Sequence, residues 1–220
     1  MDKLGVITLG LDSQGKYLAD FLENLREVSG KEVTVFDYKT LDPTEIAESG
    51  VDTLVLSPGV ALVGLDTDER FERDPNIRPL YDFIRNSVEN DVPLLGINAG
   101  HLALNCAYDW AIDNVPEGYK GEQEIDVTGI SDHIFDGIDA LTMNLTGGYA
   151  VLPLKQQKER PLQDRVTPLA DHMGRPLISK VNSKLGAPIY GVHPNIQRGT
   201  EPFFRNFFQL ASQYLETRKG

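Results

Sequence analysis

Apolar runs and amphipathic stretches alternate through the first half of the chain, and this alternation limits the fold more than any other feature. Strands are expected at 4–9, 32–37, 52–56 and 92–97, with helices near 14–28, 78–90 and 99–111. In the first helix Tyr17, Leu18, Phe21, Leu22, Leu25 and Val28 recur at three- and four-residue spacings, which makes one apolar stripe. Strands joined through helices pair in parallel, and a parallel sheet needs cover on both faces. The expected architecture is therefore three-layer α/β, a flavodoxin-like, mostly parallel central sheet with helices on both faces. Past Pro116 the pattern changes to shorter strands at 122–130, 140–145, 149–154, 166–170, 176–181 and 187–192; a smaller antiparallel sheet is expected in the C-terminal half, with the strand that ends at His193 placed in the parallel sheet beside those that end at Gly59 and Asn98. A last helix near 201–217 carries Phe203, Phe204, Phe207, Phe208, Leu210, Ala211, Tyr214 and Leu215 and is expected to close the core. No repeat or linker divides the chain, so residues 1–220 are read as a single domain.

Residues 92–104 read V-P-L-L-G-I-N-A-G-H-L-A-L, a strand that stops at a Gly-flanked turn and restarts as a helix. Such a turn pushes one side chain into a cleft, the build of a nucleophile elbow. Its apex is Asn98. A carboxamide has no thiolate or alkoxide form and cannot attack a carbonyl as Cys or Ser does.

Two further strand ends accompany the elbow: V-D-T-L-V-L-S-P-G-V over 51–60, and P-I-Y-G-V-H-P-N over 188–195. Together the three segments resemble the class I, triad-type glutamine amidotransferases, including the glutaminase part of GMP synthetase. In that family the elbow reads G-I-C-x-G-x-Q, an oxyanion loop follows L-S-P-G or L-S-G-G, and the base motif is G-V-Q-F-H-P-E. The resemblance extends from Leu4–Leu9 through S-D-H-I-F-D-G-I at 131–138 to the closing helix with R-N-F at 205–207. It implies that Asn98 stands at the nucleophile's position, His193 at the base's, and Asn195 at that of the carboxylate that orients the base. It implies also that Leu102 replaces the glutamine-contacting Gln, and that the N–H groups of Ala99 and of Gly59 or Val60 line the oxyanion site. The strand before His193 is about two residues shorter than the family's; an even slip keeps the same face inward. G-G at 147–148 reads as a hairpin turn, and the His or S-x-H signature that relatives carry there is absent.

Other chemistry finds little support. The four histidines, 101, 133, 172 and 193, match no metal-ligand spacing, and there is no phosphate loop or dinucleotide fingerprint, so no metal or cofactor is expected. The lone Cys106 lies eight positions past Asn98, about 12 Å along a helix, and reads as core filler. Ser57 has no motif pairing it with His193, and His101 reads as a helix-surface or packing residue. A formal charge of −12 disfavours nucleic acid and anionic membranes as partners. Acidic residues concentrate at 66–74 and 117–126 and read as solvated segments, with a surface for a basic partner as the lesser reading. The start lacks a secretory pattern and no run reaches membrane-spanning length, so a cytoplasmic protein is expected; N-L-T at 144–146 then reads as an incidental sequon.

Three readings follow. The favoured one is a glutamine amidotransferase-like pseudoenzyme without Cys-dependent glutaminase activity, which binds a small carboxylate or amide ligand or regulates a synthetase or ligase partner. The second is a divergent enzyme using the same cleft, with His193 as acid or base on another carbonyl or amide. The third, a glutaminase subunit whose Cys has been substituted, leaves Asn195 and Leu102 unexplained.

Overall fold

The computed structural model describes residues 3–10, 15–59, 74–146, 148–152 and 162–219. Its strands and helices run β1 (Lys3–Leu9), α1 (Gly15–Ser29), β2 (Glu32–Asp37), α2 (Pro43–Glu48), β3 (Thr53–Gly59), α3 (Ile77–Glu89), β4 (Leu94–Ile97), α4 (Ala99–Cys106), β5 (Ala111–Asn114), β6 (Gly121–Asp126), β7 (Ala140–Leu145), β8 (Tyr149–Leu152), β9 (Val166–His172), β10 (Arg175–Val181), β11 (Ile189–Val192) and α5 (Glu201–Lys219). The central sheet has the order β2-β1-β3-β4-β11-β10-β9. Its first five strands are mutually parallel, and β10 and β9 continue it antiparallel.

The two-residue period of a strand sorts its side chains between two cores. Leu4 and Val6 of β1 point to one, Ile7 and Leu9 to the other; Leu54 and Leu56 of β3 likewise oppose Val55. The face that holds Val6 and Val55 is covered by Phe21, Leu22, Leu25 and Val28 of α1 and by Phe203, Phe204, Phe207 and Phe208 of α5. Each such phenylalanine contributes about 1.5–3 kcal/mol on burial, so α5 closes the core as its sequence predicts. Helices α3 and α4 cover the opposite face. The doubly covered, mostly parallel sheet is the expected α/β fold.

Several local expectations need correction. The helix expected over 99–111 ends at Cys106: Asp109 adopts φ 64, Trp110 N–H returns to the Asn105 carbonyl, and the chain re-emerges as β5. The single small sheet is two, β5 with β8 and β6 with β7. The strands either side of 147–148 therefore join different sheets instead of forming a hairpin; Gly147 itself lies outside the described residues. Short α2 went unforeseen, though its start is well specified: Pro43 opens it, and Asp42 accepts the Thr44 N–H at 2.8 Å. The acidic stretch at 117–126 is partly the strand β6, with Glu122, Glu124 and Asp126 on its exposed face; most of 66–74 is outside the described residues. No helix among the described residues is long and apolar enough to cross a membrane.

Candidate functional site

Strands β3, β4 and β11 are neighbours and run in parallel, so their carboxyl ends open side by side, where ligands of open α/β sheets bind. Gly96 pairs with Gly191 and Ile97 with Val192, which sets Asn98 level with His193 on the adjacent strand. The Asn98 N–H extends the ladder to the Val192 carbonyl, 2.9 Å away, and the chain then turns through φ 53, ψ −106 into α4. Both flanking glycines are needed. A Cβ on Gly96 would lie 2.4 Å from the Gly100 carbonyl oxygen, and one on Gly100 would lie 2.3 Å from that of Leu56. The elbow is thus pressed onto itself and onto β3 too closely for any side chain at either position.

Asn98 begins the helix, its carbonyl accepting the Leu102 N–H at 3.1 Å, yet its side chain does not cap it. The amide Nδ2 instead donates to the main-chain carbonyl of His193 at 3.1 Å. Asn98 thus ties the two strand ends together through the His193 main chain and not its imidazole, and both ring nitrogens of His193 lack a partner among the described residues.

The His193 ring is 2% exposed. It stands edge-on between His101, with centroids 6.1 Å apart, and Tyr119, at 5.9 Å; Tyr119 in turn leans on His172 at 5.4 Å. Burial depresses the His193 pKa to about 4, so the imidazole is neutral at pH 7. His101 is wholly buried, the packing alternative of the two expected for it. Its Nε2 faces the Pro176 carbonyl at 3.2 Å, which can only accept, so Nε2 carries the proton and Nδ1 accepts from Asn105 Nδ2 at 3.2 Å. The Asn105 amide is oriented by the His101 carbonyl, 2.8 Å from Nδ2. Burial, reinforced by the neighbouring His193, pulls the His101 pKa down to about 3. Gly191 makes room for this ring, since a Cβ there would sit 2.5 Å from His101 Nδ1.

The other expected site residues divide. Ala99, the first residue of α4, and Gly59, the last of β3, come to the same edge, and Gly100 packs on the Leu56 carbonyl between them; Val60 is outside the described residues. Leu102 is buried in the core and brings no polar group. Asn195 does not hydrogen-bond the His193 ring nitrogens: its Nδ2 donates to the Tyr17 hydroxyl of α1 at 3.0 Å, and its Oδ1 is buried without a partner among the described residues. The strand ends at Val192 and Pro194 follows, so strand alternation no longer sets the direction of residue 195. Ser57 is tied down, its Oγ accepting the Leu9 N–H and donating to the Pro58 carbonyl at 2.6 Å. Cys106 is buried at the far end of α4. Among the described residues no group of three or more His, Cys, Asp or Glu could hold a metal.

Sequence reasoning missed Tyr119 and His172. Tyr119 reaches the His193 ring from the segment between β5 and β6, and His172, the last residue of β9, reaches Tyr119; no spacing along the chain records either contact.

Comparison with known proteins bears on the family and the fold. The profile of the class-I glutamine amidotransferases matches residues 9–210. No curated protein matches the sequence. Among solved structures, the chain is similar in fold to a putative GMP synthase subunit from Thermoplasma acidophilum, with TM-score 0.72 and 22% identity over 100% of this chain and 98% of that one. It is also similar to a glutamine amidotransferase from Thermotoga maritima, with TM-score 0.62 and 14% identity over 99% and 85% of the two chains. A third likeness is to a glutamine amidotransferase from Methylobacillus flagellatus, with TM-score 0.64 and 13% identity over 98% and 95%. The chain belongs to the class-I glutamine amidotransferase family.

Proposed function

We propose that this protein is an amidotransferase-like subunit without Cys-dependent glutaminase activity, retained to bind a small carboxylate or amide ligand or to regulate a partner. One observation carries the reading: the side chain at the apex of the elbow is the Asn98 carboxamide, engaged with the His193 carbonyl. The rest of the cleft supports it. His193 is buried and neutral with no carboxylate on its ring nitrogens among the described residues, and Leu102 offers no hydrogen bond to a substrate. The main-chain N–H groups of Ala99 and Gly59 depend on chain geometry alone, so a ligand oxygen can still be held where the side-chain chemistry is gone. We read residues 1–220 as one domain acting in the cytoplasm. The likeness to a putative GMP synthase subunit favours a synthetase as the partner.

A second reading, a divergent enzyme with His193 as acid or base, rests on the two uncommitted ring nitrogens of that residue. Substitution separates the two. In Asn98→Cys the introduced thiol is expected to alkylate with iodoacetamide faster than buried Cys106, because residue 98 is partly exposed at the cleft. Glutaminase activity in that variant should stay low, since an amide in place of the orienting carboxylate costs about 10⁴-fold in a related triad. Further replacement of Asn195 by Glu and Leu102 by Gln should raise it. Ordinary enzyme rates from Asn98→Cys alone would overturn the roles given to Asn195 and Leu102, and a thiol no more reactive than Cys106 would overturn the elbow reading.

A further inference from the structure

The segment between β5 and β6, residues 115–120, buries only one of its side chains outright. Tyr119 is 0% exposed, while Glu117, Gly118 and Lys120 around it are exposed. Its ring covers one side of His193, and His172 backs it. Among the described residues, few main-chain bonds hold the segment: Val115 N–H to the Gly148 carbonyl and Tyr119 N–H to that of Pro116, 3.1 and 3.2 Å. Gly118 and Gly121 flank the tyrosine at φ 79 and φ 112, conformations that other residues rarely adopt, with open space around both. Along the segment runs an open surface groove of about 660 Å³ bordered by Asn114, Pro116, Glu117, Lys120 and Tyr149. The closed arrangement also leaves polar atoms unsatisfied. The Tyr119 hydroxyl, both ring nitrogens of His193 and Nε2 of His172 are all buried without a partner among the described residues. Buried unpaired polar groups are costly, and each would regain hydrogen bonds on exposure to water or to a ligand.

From this combination we infer that residues 115–120 form a gate, with Tyr119 as a plug that closes the cleft over His193 and swings out about Gly118 and Gly121. The plug gains by burying its ring and loses by stranding the polar atoms, so the closed state is only marginally preferred. A ligand that hydrogen-bonds His193 holds the gate open. The inference rests on reading the cleft as a ligand site, but its test reads the accessibility of His193 and requires no ligand, so it fails or stands apart from that reading.

The experiment is carbethoxylation of the full chain with diethyl pyrocarbonate, followed residue by residue with peptide mass spectrometry. His133, whose side chain is 83% exposed, sets the fast limit. His101, buried with both ring nitrogens engaged, reports global unfolding. In the native protein His193 should react more slowly than His133 but faster than His101, at a rate that low urea leaves unchanged. Tyr119→Ala should accelerate His193 by about tenfold or more without accelerating His101. Tyr119→Phe keeps the plug and removes the stranded hydroxyl, so His193 should slow by about fivefold. A His193 rate unchanged in Tyr119→Ala, or one that follows His101 in urea, would overturn the gate. Should Tyr119→Ala expose His101 as well, Tyr119→Phe decides: slower His193 labelling supports the gate and an unchanged rate refutes it.

Discussion

Lowering the pH from 7 to 5 should remove a large part of the stability of this protein, through two histidines. His193 and His101 are buried in neutral form, with folded pKa values of about 4 and about 3 against the ordinary 6.5. The unfolded chain therefore takes up protons near pH 6.5 while the folded chain does not. The stabilisation is present above pH 6.5 and is lost as pH falls toward the folded values. At pH 5 both folded values still lie below the pH, so the loss depends on the unfolded pKa and hardly on how the pair shares its shift. Each residue then costs about 1.8 kcal/mol relative to pH 7, about 3.7 kcal/mol together, out of a typical total of roughly 5–15 kcal/mol. Carboxylates held low, such as Asp132 with Lys180 and Tyr190, act at lower pH and do not confuse this window. Urea unfolding is followed by the fluorescence of the sole tryptophan, Trp110, which is 6% exposed. His193→Gln should remove about half of the drop. Equal stability at pH 5 and pH 7, or a drop unchanged in His193→Gln, would refute the burial argument.

Further substitutions probe the elbow and its surroundings by the same unfolding assay. Gly100→Ala drives a methyl group to 2.3 Å from the Leu56 carbonyl, both on rigid backbone, and should cost at least about 1–3 kcal/mol; a neutral result would mean that α4 can lift from β3. Asn98→Gly loses the bond to His193 but accepts φ 53 without strain, so it should destabilise less than Asn98→Ala, and the reverse order would contradict the strained turn. Asp132 accepts from the Tyr190 hydroxyl and from Lys180 Nζ, each at 2.7 Å, so Asp132→Ala should cost about 1–3 kcal/mol by stranding the buried phenol; an unchanged urea midpoint would show that water replaces the carboxylate.

What the sequence made legible is what local period and turn chemistry control. Alternation in β1, the stripe of α1 and the phenylalanines of α5 set layer and face, and Gly96 with Gly100 announced an elbow from the chain alone. Helix α4 was overextended because Ala107 and Tyr108 remain apolar and buried past its end; the stop is made by the positive φ of Asp109, which no local pattern flagged. The partners of β5, β6, β7 and β8 were not readable, since each pairing crosses long stretches of chain and two-residue periodicity says nothing of who pairs with whom. The same holds at the site. Asn98 and His193 declared themselves through motifs, whereas Tyr119 and His172 join them by tertiary folding alone. Asn195 shows the converse, a motif position whose side chain engages Tyr17 instead of the catalytic-type histidine.

Whether the cleft keeps any glutaminase chemistry is decided by the release of ammonia from glutamine, measured with a coupled assay on the purified protein beside Asn98→Ala and His193→Gln. All three should stay at background, because neither Asn98 nor Cys106 at the far end of α4 presents a nucleophile to the cleft. Turnover by the native chain that disappears in His193→Gln would contradict the loss of activity proposed above. If that turnover also survived in Asn98→Ala, the cleft would be a working active site with a chemistry that does not pass through residue 98.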